Sequence, residues 1–550
     1  MKKFGILLIF VLSIIVNIYF GFQKSGFHED EYYTYYSSNR SAGLYQPDRQ
    51  WQDRQTILDE FVVKPGEGFN YGLVKLVQSW DVHPPLYYMI FHTICSMVPG
   101  EFTKWTGIIT NLLAFAATFW VIHLICKRLR ASFWVEVLTL LFFGINPQTI
   151  SSNILIRMYA WLTFWVALCG YLHIRLVKDY DSIKGFEGSS KIKAINNVYL
   201  RNYVFYMLPI MIVSYLGFLT QYFYLFFFIS IGIAFTGWIV FWKKNVRFGV
   251  VYVASCAVSL GLAVLTYPDS LRHMLGGYRG NEAAGSLFDI GNTVMRLSFF
   301  TGLLNDFVFA GLFIVVIAVI FIGLIIRIAR KKMGIFTPDF VIFIIGTVGY
   351  FLITSKTALL VGAASNRYEM PCYGLIIIIV AILIQRIWGL TDFCIKKNPD
   401  VTPEGDNKNS YKKTIMIVEG ITCIFVVALL IKGICLDNRV LFLYPEDTAK
   451  IQYAADNRDK VAVVMFNPAT PHNVWRLADE LLQYDKVYYM DEENLDVIND
   501  AEVLGASEII LYIADDDLQN DAITNIQNST GKANMTALFT EDMWNSYELK

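Results

Sequence analysis

The chain has 550 residues, of which 55% are apolar and only 17% charged, with a formal charge of −1 at pH 7. Soluble domains average about 25% charged residues, so an ordinary soluble protein is excluded, and near-neutrality removes any global pull toward nucleic acid. The eight cysteines include no Cys-x-x-Cys pair, which argues against a zinc ribbon or a redox motif.

The apolar residues gather in runs of about 18–24, long enough to cross roughly 30 Å of hydrocarbon. The first, residues 4–22, follows Met1-Lys2-Lys3. It is longer than a signal-peptide core, and Gly21-Phe22-Gln23-Lys24 offers no small-x-small cleavage site, so it reads as an uncleaved span. Basic clusters lie at 2–3, 127–130, 175–201, 243–247, 327–332 and 396–413. Basic residues collect in cytoplasmic loops. Placing all of these inside puts the N-terminus in the cytoplasm and the polar stretch 23–82 outside. Residues 84–98 are apolar but number only about 15 and open with Pro84-Pro85. If they crossed, residues 127–130 would be outside. They therefore predict a re-entrant or juxtamembrane helix. Further spans are expected at 104–126, 133–150, 158–177, 203–220, 222–242, 248–267, 306–326, 338–355, 370–388 and 414–435, making about eleven.

Past residue 436 the pattern changes. Residues 461–466, 487–489 and 508–513 read as short buried strands, and 473–483 and 495–504 as helices. This alternation predicts a small α/β domain over 437–550, outside the membrane, after a transmembrane domain over 1–436.

On this topology an unusual set of polar residues sits at the outer surface. Phe27-His28-Glu29-Asp30-Glu31-Tyr32 follows the first span. Three consecutive acids beside lipid are costly unless solvated or paired. Trp80-Asp81-Val82-His83-Pro84-Pro85-Leu86-Tyr87-Tyr88 places His83 just before a proline-started helix, whose N-terminal end favours an anion. Arg157-Met158-Tyr159, Gln221-Tyr222 and Arg367-Tyr368 lie at outer ends of spans. Residues 267–306, with Arg272, His273, Arg279 and Glu282 among glycines, read as a mobile outer lid or a plain connecting loop. A carboxylate can take a proton from an acceptor hydroxyl. Arginine presents a permanently charged fork to phosphate oxygens. The set suits transfer from a phosphate-linked donor carried on a lipid.

Asp30-Glu31-Tyr32, His83-Pro84-Pro85-Leu86-Tyr87-Tyr88, Arg157-Met158-Tyr159 and Arg367-Tyr368 together resemble bacterial GT-C glycosyltransferases. The nearest group is the family 39 set, which includes protein O-mannosyltransferases and aminoarabinose transferases. The resemblance covers roughly residues 1–390. It implies a polyprenyl-phosphate sugar donor, inversion at the anomeric carbon, and an acceptor hydroxyl on a protein, glycolipid or cell-wall polymer at the outer face of the cell membrane. It implies Asp30 and Glu31 at the catalytic centre, and His83, Arg157, Arg367 and Tyr368 at the donor phosphate. Tyr159, Gln221, Tyr222 and Arg279 are further candidates. Several relatives have His-Tyr where this chain has Gln221-Tyr222, which removes a ligand there. Some members bind a divalent cation near the first-loop acid and others manage without, so metal is left open. Rival readings are a transporter or flippase of a lipid-linked sugar, and a ligase or polymerase of lipid-linked oligosaccharides. The first needs charged or broken mid-span helices, and the acids in the expected spans, Glu136 and Glu419, lie near cytoplasmic ends.

Overall fold

The computed structural model describes residues 2–40, 45–182, 197–329, 334–388, 420–541 and 543–550. The basic cluster 396–413, parts of 175–201 and 327–332, the start of the last expected span at 414–419, Cys394 and Glu419 lie outside the described residues. Contacts divide the chain into two units. The first comprises Met1–Gly21, Gln78–Tyr87 and Gly107–Leu441. The second comprises Phe22–Val77, Tyr88–Thr106 and Phe442–Lys550. Stretches from the first 106 residues thus fold with the C-terminal region.

Among the described residues eight helices are long and apolar enough to cross a membrane, or ten if two bent pairs each count as one span. The eight are Lys3–Gln23, Lys104–Arg128, Tyr159–Ser182, Arg201–Thr220, Tyr224–Trp242, Val246–Thr266, Pro338–Thr357 and Met370–Trp388. Leu86–Met97, over the expected juxtamembrane segment, and Gly420–Leu436 are shorter apolar helices.

The bent pairs correct two expected spans. Residues 133–150 are not one helix. Phe133–Ile145 and Pro147–Ile154 meet at 46°. Pro147 cannot donate into a preceding turn, and the Asn146 side chain accepts from the Gln148 N–H at 3.0 Å, starting a new helix. Residues 306–326 are broken more sharply. Ile290–Val308 and Phe313–Ala329 differ in direction by 98°. Ala310 and Gly311 between them have φ of 50° and 84°, a left-handed backbone that no α-helix contains. Both residues are apolar, so hydropathy runs through the break without registering it. The stretch 267–306, expected as an irregular lid or loop, holds the helices Asp269–Leu275, Tyr278–Phe288 and Thr293–Leu303.

Helix Phe313–Ala329 is apolar all round, yet only Val316 and Gly323 are buried. Its remaining surface suits lipid contact. Inward faces carry paired polar groups instead. The buried Asn17 side chain donates to the carbonyls of Ser13 (2.8 Å) and Gly144 (3.1 Å), and accepts from Asn153 at 2.8 Å. Gly144 lets the first helix approach this closely, because a Cβ there would collide with the Ser13 side chain.

The second unit is built on a six-stranded mixed sheet ordered β1-β3-β2-β4-β6-β5. Its strands are β1 (Gln50–Asp53), β2 (Val461–Phe466), β3 (Lys486–Asp491), β4 (Ile509–Ala514), β5 (Met535–Glu541) and β6 (Trp544–Leu549). β2 runs parallel to both β3 and β4, and the other pairings are antiparallel. The three parallel strands are continuous apolar runs because both faces are covered. Ala462, Val464 and Phe466 pack against Val474, Leu477 and Leu481. Val463 and Met465 pack with Ile498, Val503, Ala522, Ile523 and Ile526 on the other face. The chain leaves β2 over one face and β3 and β4 over the other. The expected strands lie within β2, β3 and β4, apart from Glu508. The expected helix over 495–504 shrinks to Ala501–Gly505, started by Asp500, whose carboxylate accepts from the N–H groups of Glu502 and Val503. β1, β5, β6 and the helix Gln519–Thr530 are additional to the expected elements.

The Gly144 contact generates a prediction. Gly144→Val should lower the thermal midpoint of the detergent-purified protein by several degrees, through the overpacking cost of about 1–3 kcal/mol. An unchanged midpoint would show that the first helix does not need this approach.

Candidate active site

Asp30 and Glu31 belong to the second unit. They lie in the first turn of the helix Glu29–Asn39, where the expected reading was a polar loop. The His28 Nδ1 accepts from the Asp30 N–H at 3.1 Å, and the Glu31 carboxylate accepts from the His28 N–H, closing a capping box. Acids in a first turn also suit the positive end of the helix dipole.

The two acids have different surroundings. Glu31 is fully buried, 2.9 Å from the Nζ of Lys24, which is itself fully buried. Lys24 also donates to the Phe442 carbonyl at 2.9 Å. Removing one partner of such a pair leaves an uncompensated buried charge, at about 3–5 kcal/mol. Asp30 is only half-buried, with its carboxylate 3.6 Å from the His28 Nδ1. Of the two, Asp30 keeps access to solvent. The Lys24 ammonium supplies the positive charge at Glu31. Among the described residues no group of three or more His, Cys, Asp or Glu side chains is arranged to hold a metal ion.

The next residue, Tyr32, is buried and donates to Asp479 Oδ2 at 3.2 Å. Burial pushes the Asp479 carboxyl up to about 7. The Tyr32 hydrogen bond and Lys24 oppose that rise, while Asp447 and Glu31 add to it. Glu29 pairs with Arg476, and the Tyr36 ring lies 4.3 Å from that of Trp475. The acidic helix is thus anchored to residues 475–479, a connection no sequence pattern signals.

The remaining candidates lie in the first unit. His83 Nδ1 is 2.9 Å from Asp81 Oδ2, and its Nε2 is 3.3 Å from a terminal nitrogen of Arg157. Arginine only donates, so Nε2 must accept and the ring proton sits on Nδ1, donated to Asp81. Burial pushes Asp81 up, but His83 and Arg157 outweigh it and hold this carboxyl below the usual range. Arg157 is 3% exposed. It occupies the break between the helices Pro147–Ile154 and Tyr159–Asp179.

Arg367 and Tyr368 end the 3-10 helix Gly362–Tyr368, just before Met370–Trp388. Arg367 is buried and donates to the Tyr368 hydroxyl at 3.3 Å. The Tyr368 ring meets Tyr159 edge-on at 5.9 Å and Phe223 at 5.7 Å. Those contacts bring three of the sequence motifs together. Gln221 is buried at the turn beside them. Tyr222 shares a 3.0 Å hydrogen bond with His273 Nδ1. His273 Nε2 lies 3.4 Å from the Ser79 carbonyl, which also accepts from Arg272. Arg279 pairs with Glu282 at 3.1 Å. Burial opposes its charge, but Tyr278, Glu282 and Tyr368 together raise it above the ordinary arginine value.

Asp81 is a further residue of this site that the sequence motifs alone do not assign. Its two-residue spacing from His83 was the available signal. Lys24, Asp479 and His273 acquire their partners only through folding.

This arrangement of helices, broken spans and appended sheet is the GT-C fold, and the chain is a multi-pass membrane protein. Its described architecture matches the crystal structure of ArnT, an aminoarabinose transferase, from Cupriavidus metallidurans bound to undecaprenyl phosphate. The TM-score is 0.50 at 10% identity, covering 98% of this chain and 97% of that one. The apo form of that protein gives 0.48 at 11% identity, over 100% and 98% of the two chains. The apo oligosaccharyltransferase of Archaeoglobus fulgidus gives 0.48 at 11% identity, over 90% and 65%. No family model matches the sequence, and no curated protein matches it.

Asp479 makes the stability of the second unit depend on pH. Its folded value of about 7 lies above its ordinary 3.8. The stabilisation from keeping it protonated is therefore full below about pH 4 and lost as pH rises through about 7. Asparagine imitates the protonated acid at every pH. The stability of Asp479→Asn relative to wild type should accordingly rise between about pH 4 and pH 7, by up to about 4 kcal/mol, and stay level above. A difference that is constant across this window, read by thermal unfolding, would contradict the assignment.

Proposed function

We propose that this chain is an inverting glycosyltransferase that moves a sugar from a polyprenyl-phosphate donor to an acceptor hydroxyl at the outer face of the cell membrane. The observation that carries the reading is the Asp81–His83–Arg157 chain of hydrogen bonds, in the same unit as the Arg367–Tyr368 pair. Buried guanidinium groups are costly to desolvate, and sites that bind phosphate make use of them. Two further considerations support it. The fold is shared with a protein crystallised with undecaprenyl phosphate. The motifs occur in the order found in GT-C enzymes.

In the proposed reaction Asp30 is the general base. Its carboxylate takes the proton of the acceptor hydroxyl as the oxygen attacks the anomeric carbon. The new carbon–oxygen bond forms as the bond to the donor phosphate breaks, and the electron pair leaves with the polyprenyl phosphate. Attack opposite the leaving group inverts the anomeric centre. His83, Arg157, Arg367 and Tyr368 bind the phosphate and stabilise the charge that grows on it. Tyr159, Gln221, Tyr222 and Arg279 shape the surroundings of those ligands. Glu31 holds the Asp30 helix through Lys24 and takes no proton. Asp81 is a positioning residue: by accepting from Nδ1–H it fixes the His83 tautomer and through it the Arg157 fork. The N-terminus is cytoplasmic, and the sheet-bearing C-terminal region is extracytoplasmic. The acceptor is a protein, a glycolipid or a cell-wall polymer.

A transfer assay tests this. The protein, in liposomes, is given a panel of radiolabelled polyprenyl-phosphate sugars with crude envelope acceptors. Wild type should move label. Asp30→Asn should lose about 10²–10⁴-fold in rate with its thermal midpoint retained, as expected for loss of a general base. Glu31→Gln should instead lower the midpoint. Equal transfer by Asp30→Asn would overturn the base assignment, and failure of wild type to consume any monophosphate donor would overturn the function. Separately, Asp81→Asn and Arg157→Lys should each raise the donor KM by about tenfold or more, since arginine's planar fork is not replaced by lysine. An unchanged KM in both would remove these residues from the donor site.

A further inference from the structure

The carboxyl ends of β2, β3 and β4 carry a second group of acids, none of which has a part in the proposed transfer reaction. β2 is the central parallel strand, and the chain leaves it over one face of the sheet and leaves its two neighbours over the other. At such a reversal the loops part and leave a crevice at the carboxyl edge, where open α/β sheets bind ligands.

The residues at this edge are Asp491, which ends β3, Glu492 and Glu493 just after it, and Asp515, Asp516 and Asp517 after β4. Among the described residues no ion pair to Lys, Arg or His joins any of the six. Glu492 is the unusual member. Its N–H donates to the Phe466 carbonyl at 3.1 Å, prolonging the β2–β3 ladder by one residue. That bond fixes the backbone at the strand end, and the side chain is only 1% exposed. Both carboxylate oxygens are buried and neither receives a donor from the protein. The side chain lies within hydrogen-bonding reach of Asp516, another acid. Asp516 is itself exposed and fixed in place: it accepts from Asn467 Nδ2 at 2.7 Å and from the Leu518 N–H at 2.8 Å.

A buried carboxylate without a donor is strongly disfavoured. Here a second carboxylate, Asp516, faces it, and Asp491 and Glu493 add to the negative charge around it. One shared proton would relieve a single charge and leave the rest. A hard divalent cation takes oxygen ligands, and for magnesium one or two carboxylates suffice, with water completing the shell. Asp516, being exposed, would meet such an ion from solvent.

We infer that Glu492 and Asp516 form a binding site for a divalent cation, calcium or magnesium, at the carboxyl edge of the sheet, with Asn467 holding Asp516 in position. The site is independent of the proposed transfer reaction and of Asp30. The bound ion ties the end of β3 to the loop after β4, and so fixes the outer rim of the second unit.

Isothermal titration of the EDTA-treated, full-length protein in detergent with calcium chloride, and separately with magnesium chloride, tests the inference. Wild type and Asp30→Asn should each take up one ion, with Kd of about 10⁻⁴–10⁻³ M or tighter, and saturation should raise the thermal midpoint by roughly 3–6 °C. Glu492→Gln and Asp516→Asn should each weaken uptake at least about tenfold, as loss of a ligand charge requires. Glu492→Gln should also raise the midpoint of the cation-free protein, because the neutral amide removes a buried charge without changing shape. That opposite sign separates loss of a ligand from misfolding. No uptake by wild type, or equal uptake by Glu492→Gln, would overturn the site. Uptake lost in Asp30→Asn but kept in Glu492→Gln would place the ion elsewhere.

Discussion

Polar groups removed from water must find partners within the protein, at a cost of several kcal/mol for each that does not. That constraint organises most of what distinguishes this chain. The long apolar segments form helices because a helix satisfies its own backbone. Where the helices break, side chains replace the lost bonds. Asn146 starts a new helix at Pro147, and Asn305 Oδ1 accepts from the Phe313 N–H at 3.0 Å across the break at 309–312. Asn17, Ser13 and Asn153 meet one another on inward faces rather than lipid.

The same constraint separates two neighbouring acids that are chemically alike. Glu31 is fully buried and bound to Lys24, so its charge is committed to holding a helix in place. Asp30, one position earlier, is half-buried, with its carboxylate 3.6 Å from the His28 Nδ1. The Asp81–His83–Arg157 chain follows a parallel logic: an imidazole between a carboxylate and a guanidinium has its tautomer decided by them. Both arrangements put fixed charges on rigid elements, which is how a site acts on charge that develops during a reaction without reorganising.

The second unit shows how far sequence neighbours can part. Its sheet recruits β1 from residues 50–53, and its core includes Ile57 beside strands some four hundred residues later. The Glu29–Arg476 and Tyr32–Asp479 contacts bind the acidic helix to the same body. Residues with perturbed acidity accordingly occur in this unit both near the proposed base and at the far edge of the sheet.

Much of this was legible from the sequence. Long apolar runs dictated membrane helices, because hydropathy and length are local properties and the bilayer imposes a fixed thickness. The GT-C fold followed from short motifs, and the three parallel strands from continuous apolar runs of strand length. Other features were invisible for equally physical reasons. The break at 310–311 rests on backbone dihedrals in residues that are apolar, so no hydropathy signal marks it. β1 and β5 are partly exposed edge strands, and β1 pairs with a strand far later in the chain. Which of two adjacent acids is buried, which lysine reaches it, and that Asp81 rather than solvent receives the His83 proton were decided only when segments remote in the chain came together. Sequence determined which residues enter lipid and which chemical groups stand at its surface, because those depend on each segment alone. Tertiary structure decided which of those groups are neutralised and which remain available, because charge in a low-dielectric interior is governed by its neighbours in space.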